Sequence, residues 1–188
     1  MYDAIVLAGG RASRLGGVGK PQLEVGGRTL LTRAVEAVRD AGRIVVVGPQ
    51  QPAPATVTWA REDPPGGGPV AAIAAGVSST SAAIIVVLAA DLPWIAPAVP
   101  RLVRAVPTSG AALLVDATGR ANYLASAWRR DSLVAALAAI GAVDGAAMRT
   151  LAAQVTQVAV PDEDGWGRDC DTWDDVARAR SVGEDADA

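Results

Sequence analysis

The residues whose types and spacing suit chemistry begin with the segment LAGGRASRLGGVGK, Leu7 to Lys20. It holds Gly9, Gly10, Gly16, Gly17 and Gly19 together with Arg11, Arg14 and Lys20, and no acid occurs from Ala4 to Leu23. Glycines let a backbone approach a ligand closely, and successive N–H groups in such a loop cradle phosphate oxygens. In a chain of net charge −3, a purely basic loop points to a bound anion. Lys20 is the only lysine; the other 16 basic residues are arginine. A compact ammonium suits a crowded triphosphate, where arginine would bring a wide planar fork. The spacing is not that of a Walker A loop, because Arg14 stands at the first glycine position and Pro21 follows Lys20. No dinucleotide fingerprint G-x-G-x-x-G occurs either. On loop composition alone, a turn with merely solvated arginines stays open.

The second candidate is Asp91, which follows an apolar, β-branched run and precedes Leu92-Pro93. A carboxylate at the end of a central strand faces the crevice where open α/β sheets bind ligands. Mg²⁺ takes one or two carboxylates together with phosphate oxygens, so Asp91 is a candidate metal ligand. Asp169 and Asp171 bracket Cys170, and either could supply a second carboxylate, with Asp171 taken as the metal candidate. The competing role is that Asp171 or Thr172 caps a helix. The chain has no histidine. That removes Ser-His-Asp and Cys-His catalysis and most zinc sites, and leaves oxygen donors suited to Mg²⁺ or Mn²⁺.

These residues need a scaffold, and the composition supplies one. Of 188 residues 51% are hydrophobic but only 4% aromatic, so the core must be Val, Ile, Leu and Ala. Such residues suit a mostly parallel sheet covered by helices. The patterning predicts strands over 3–7, 43–47, 57–59, 83–88, 111–115, 123–128 and 155–160. It predicts helices over 29–41, 70–77, 97–106, 131–140, 146–153 and 172–180, with glycine-rich loops over 8–20 and 61–69. Strand, loop, helix and strand in the first 48 residues form the unit of a parallel sheet. The expectation is one α/β domain over 1–180 and a disordered acidic tail over 181–188. Trp59, Trp128 and Trp166 read as packing residues, Trp94 as a candidate pocket wall, and Arg120 as either an acceptor contact or a solvated loop residue. Cys170, flanked by acids, reads as unreactive. The negative charge argues against nucleic acid as a partner. No signal-peptide pattern opens the chain, and no apolar run reaches the roughly 18–20 residues of a membrane span. A cytoplasmic protein is expected; the sequence leaves the oligomeric state open, a monomer being compatible with it.

The loop LAGGRASRLGGVGK is similar to the signature of the MobA-like nucleotidyltransferases, roughly LAGG-x-S-x-R-x-G-x-x-K. Further segments follow in the family's order: Glu62-Asp63 with Gly68-Pro69, Ala90-Asp91-Leu92-Pro93, GRANYLASAW at 119–128 and DCDTWDD at 169–175. The resemblance covers about residues 3–180 and is nearest to the molybdenum cofactor guanylyltransferases. It implies a single-domain, three-layer α/β/α fold, Rossmann-like, of the nucleotide-diphospho-sugar transferase type. It implies that GTP and molybdopterin are substrates, the terminal phosphate of molybdopterin attacking the α-phosphate of Mg-GTP with release of pyrophosphate. By motif position Leu7, Ala8, Gly9, Gly10, Arg14 and Asp63 would contact the nucleotide, Lys20 would neutralise its phosphates, and Asp91 would hold Mg²⁺. The 119–128 segment would border the acceptor. An ionised phosphate is already a nucleophile, so the lack of histidine fits. The chain departs from the pattern at Gly19, Gly48-Pro49, Asn122-Tyr123 and Trp173, where other residues are usual. These departures bear on the base and the acceptor. A molybdopterin cytidylyltransferase, a sugar-phosphate nucleotidyltransferase and a non-catalytic nucleotide-binding module remain alternatives.

Overall fold

The computed structural model describes residues 1–9, 19–54, 56–108 and 110–170, with 172, 174, 175 and 177. In chain order its elements are β1 (Asp3–Leu7), a 3-10 turn (Lys20–Gln22), β2 (Glu24–Val25), β3 (Arg28–Thr29), α1 (Leu30–Ala37), β4 (Ile44–Val47), β5 (Val57–Ala60) and α2 (Gly68–Val77). Then come β6 (Ile84–Ala89), α3 (Ala98–Ala105), β7 (Gly110–Val115), β8 (Ala121–Arg129), α4 (Arg130–Ile140), α5 (Met148–Ala152) and β9 (Thr156–Pro161).

The main sheet has seven strands in the order β5-β4-β1-β6-β8-β7-β9. β1 runs parallel to β4 and β6, β4 to β5, and β7 to β9; β8 is antiparallel to both of its neighbours. Continuous β-branched runs make the centre: every residue of β1 and β4 is buried. That is the signature of strands covered on both faces. Alternate residues then divide between two cores. Ala4, Val6, Val46, Val86 and Leu88 pack with α1 and α3 on one face. Ile5, Leu7, Val45, Val47 and Val87 pack with α2, α4 and α5 on the other. The result is a three-layer α/β/α sandwich, the architecture expected from the sequence.

Two local features differ from the sequence reading. The helix read over 29–41 ends at Ala37. Its start is firm, since the Thr32 N–H donates to the Thr29 hydroxyl at 3.1 Å. Its end tightens into turns, with Val38 N–H on Val35 O, Arg39 N–H on Glu36 O and Ala41 N–H on Val38 O. The apolar rhythm continues because Val38 is still fully buried. The second difference is the small hairpin of β2 and β3, joined at Gly26-Gly27, which the patterning did not show. The tail over 181–188 and most of the last helix lie outside the described residues. At the start of that helix Asp175 N–H donates to the Thr172 hydroxyl, and the Asp175 carboxylate accepts from Thr172 N–H at 2.9 Å. Thr172 therefore caps as anticipated. No helix among the described residues is long and apolar enough to cross a membrane.

Candidate active site at the carboxyl edge of the sheet

The carboxyl ends of β1, β4, β5, β6, β7 and β9 all open on one edge. The glycine loop leaves that edge after β1. Leu7 and Ala8 are 8% and 2% exposed, so their side chains belong to the core and only backbone remains to meet a ligand. Ala8 N–H continues the ladder to Val47 O at 2.8 Å, and Gly9 is exposed. Gly48, one of the departures from the family pattern, has a local reason. Its φ is +147°, and a Cβ there would stand 2.8 Å from Gly9 N and 2.9 Å from Ala8 C. The bare backbone lets the end of β4 press against the start of the loop.

Two glutamines that the sequence did not single out join the loop's ends. Gln51 Nε2 donates to Ala8 O at 3.3 Å, and Gln22 Nε2 donates to Gln51 Oε1 and Pro52 O, each at 3.0 Å. The exit of the loop is thus pinned to its entrance. Gly10, Arg11, Arg14, Gly16 and Gly17 lie outside the described residues, as does Asp171.

Lys20, at the loop's exit, forms an ion pair with Asp91, at the end of β6. The two predicted residues, 71 positions apart, are brought into contact. Their side chains are 20% and 22% exposed, enough shelter to strengthen the pair and enough access for a ligand. Asp91 is held from two sides. Ala90 N–H donates to Leu7 O at 3.0 Å, and Cys170 N–H donates to Asp91 O at 3.1 Å. The second bond lays Cys170 against the Asp91 loop. Cys170 itself is buried beside Leu23, Val25 and Leu30, with Trp94 packed on that cluster. Burial first, then the carboxylates of Asp175 and Asp91, push its thiol up to about 11. It is a packing residue and no nucleophile. Trp94 lies under Arg33, whose guanidinium is 5.4 Å from the ring centre, so its contacts here are those of packing. Trp128 is wholly buried and Trp166 is 7% exposed, as the packing reading requires.

Asp63 is exposed in the loop after β5. β5 and β6 are three strand spacings apart, about 14 Å at 4.8 Å each. β1 and β4 lie between the strands that lead to Asp63 and Asp91. Farther along the edge a cavity of about 750 Å³ includes Arg120, Asn122 and Tyr123, the segment expected to border the acceptor, with Asp169 on its wall. Asp162, Arg168 and the 116–118 turn also line it and had carried no signal in the sequence beyond turn-forming residue types.

With this geometry established, comparison with known proteins is informative. The family profile of the MobA-like NTP transferase domain matches residues 4–158. The chain belongs to that family. A search of curated proteins finds no match. Among solved structures, a nucleotidyl transferase from Methanothermobacter superposes with a TM-score of 0.81 at 23% identity, covering 99% of each chain. Molybdopterin-guanine dinucleotide biosynthesis protein A from Archaeoglobus fulgidus gives 0.76 at 18% identity, over 97% of this chain and 99% of that one. A 2-C-methyl-D-erythritol 4-phosphate cytidylyltransferase from Thermus thermophilus gives 0.75 at 20%, over 98% and 100%. These likenesses establish the nucleotidyltransferase fold.

The donor set can be tested against the metal that such a fold implies. Asp91 is a carboxylate already balancing a positive charge in a partly sheltered position. With no histidine in the chain and its one thiol buried and protonated, the available donors are oxygens. Oxygen donors are those a hard divalent cation such as Mg²⁺ takes, and Asp91 would be one of them, with no cluster of three such side chains among the described residues.

Proposed function

We propose that this protein transfers GMP from GTP to the terminal phosphate of molybdopterin, releasing pyrophosphate and forming the guanine dinucleotide form of the cofactor. The observation that carries the reading is the Lys20–Asp91 pair, set where a glycine loop and the end of β6 meet. Family membership and the order of the five motifs support nucleotidyl transfer, and the nearest resemblance of the sequence is to the guanylyl branch.

In this reading Leu7, Ala8, Gly9, Gly10, Arg14 and Asp63 contact the nucleotide. Asp91, with Asp171, would hold Mg²⁺. The bound ion supplies charge stabilisation on the phosphate oxygens. Lys20 exchanges Asp91 for phosphate when the nucleotide enters, and its ammonium then offsets the charge that develops on the leaving pyrophosphate. The acceptor phosphate is ionised at neutral pH, so no side chain has to remove a proton. The rate enhancement comes from alignment and charge placement.

Cytidylyl transfer is the second reading, because the Thermus cytidylyltransferase superposes almost as well as the Archaeoglobus protein. The test is turnover of α-labelled GTP and CTP with molybdopterin and Mg²⁺, read as the labelled dinucleotide product. The guanine dinucleotide is expected, and Asp91→Ala should abolish it. A cytosine product alone would replace the guanylyl reading, and an undiminished rate in Asp91→Ala would remove Asp91 from the metal site.

A further inference from the structure

The cavity beyond β7, β8 and β9 carries more acid than base on its wall, yet much of the acid is engaged within the wall itself. Asp116 accepts from the Thr118 hydroxyl at 2.6 Å, Thr118 N–H at 2.9 Å and Arg120 N–H at 3.0 Å. These bonds, the hydroxyl's first, hold its carboxyl below the ordinary range. Asp162 accepts from Trp166 N–H at 2.7 Å and Gly167 N–H at 3.0 Å. Glu163 pairs with Arg101 at 2.7 Å. Arg168, by contrast, forms no ion pair with a carboxylate among the described residues, while the charge of Arg120 also helps to hold the Asp116 carboxyl low.

Arg168 is also held in place. Gly165 has φ +73°, and a Cβ there would fall 2.5 Å from Arg168 Nε and 2.9 Å from its Cζ. The guanidinium thus lies across the bare Cα of a glycine. Arg168 N–H donates to Gly165 O at 3.2 Å. Asn122 fastens this loop to β8: its Nδ2 donates to Gly167 O at 3.0 Å, and its Oδ1 accepts from Leu124 N–H at 3.0 Å. The pairing of β7 with β8 shifts register at this point, between Leu113 and Leu114. Two residues after Arg168, Cys170 N–H is bonded to Asp91 O. Arg168 is therefore within about 7 Å of backbone from the residue that touches the Asp91 loop.

We propose that Arg168, beside Arg120, grips the acceptor's phosphate in the cavity that the family resemblance assigns to the acceptor, and that Asn122 is a positioning residue for Arg168. The proposal rests on the nucleotidyl-transfer reading above. A phosphate nucleophile must be brought up to a site that already contains Asp91 and Asp169, and it is repelled there unless a cation accompanies it. A guanidinium fork binds phosphate through two parallel hydrogen bonds, which fixes orientation as well as charge. The departure at Asn122 acquires a role in this arrangement, and so does Gly165.

The test follows the arginine Nε–Hε resonances of the full chain while inorganic phosphate is titrated at constant ionic strength. The Arg168 resonance, assigned by its loss in Arg168→Lys, should shift with saturation. Gly165→Ala keeps both charges but displaces the guanidinium, and Asn122→Ala frees the loop. Each should weaken phosphate at this site at least threefold. Arg168→Ala, followed through Arg120, should weaken it tenfold or more. Stabilisation by Mg-GTP should be unchanged in all three. The proposal is overturned if the Arg168 resonance moves no more than that of exposed Arg39, or if Arg168→Ala leaves the Arg120 titration unaltered. Failure of the nucleotide reading shows separately, as the absence of any stabilisation of the wild-type chain by Mg-nucleoside triphosphates.

Discussion

Replacing Gly48 by alanine puts the positioning of the glycine loop to a quantitative test. The new Cβ would meet two backbone atoms, Gly9 N at 2.8 Å and Ala8 C at 2.9 Å, which cannot rotate away as a side chain could. The φ of +147° is also one that L-residues rarely adopt. Holding alanine there costs about 1–3 kcal/mol. Relieving the overlap by shifting the backbone adds on the order of 1–3 kcal/mol, as overpacking does elsewhere. For a chain of this length even the lower sum, about 2 kcal/mol, lowers Tm by roughly 4 °C or more. The relief has a direction: Ala8 and Gly9 must move away from β4, loosening the bond from Gln51 to Ala8 O. Nucleotide binding should therefore weaken beyond the loss of stability. The assay is thermal unfolding of wild type and Gly48→Ala with and without saturating Mg-GTP. An unchanged Tm together with an unchanged nucleotide-induced rise would refute the claim that close contact with β4 sets the loop.

Three further outcomes are expected. Lys20→Met should cut turnover on the order of 100-fold, the effect of losing one preorganised charge donor, and Lys20→Arg should restore only part of it; equal rates in wild type and Lys20→Arg would show that charge alone matters. Leu88, fully buried in the core shared with α1 and α3, should cost about 2–5 kcal/mol as Leu88→Ala in urea unfolding, whereas a loss under 1 kcal/mol would mean that the site collapses around the cavity. Cys170 should resist alkylation at pH 8 in the native chain, and stability should fall between about pH 9 and 11. In that window the unfolded thiol has ionised while the folded one, raised to about 11, still holds its proton, so the folded state binds more protons and loses ground as pH rises. Rapid native-state labelling at pH 8 would contradict its burial.

Much of this was legible in the sequence because one type of signal dominates each element. The apolar run before Asp91 could only be a central strand, and β6 is buried as such. Asp91 and Lys20 were legible because their neighbours fix them, a strand end and a glycine loop. Contacts between distant side chains were not legible. Gln22 and Gln51 carry no periodic or motif signal, and their bond depends on where the 3-10 turn and the end of β4 fall in space. The same holds for Arg168, one arginine among 16 until the structure lays it across Gly165. Helix α1 was read too long because burial continues through Val38 after helical hydrogen bonding has ended.

The most direct test of the central claim is the thermal stability of the wild-type chain with each of the four nucleoside triphosphates, with and without Mg²⁺. Ligand at 100 times its Kd stabilises by about 2.7 kcal/mol, a Tm rise of roughly 5–10 °C for a chain of this size. The account predicts that rise with GTP, dependent on Mg²⁺ and lost in Asp91→Ala. No rise with any of the four would contradict it.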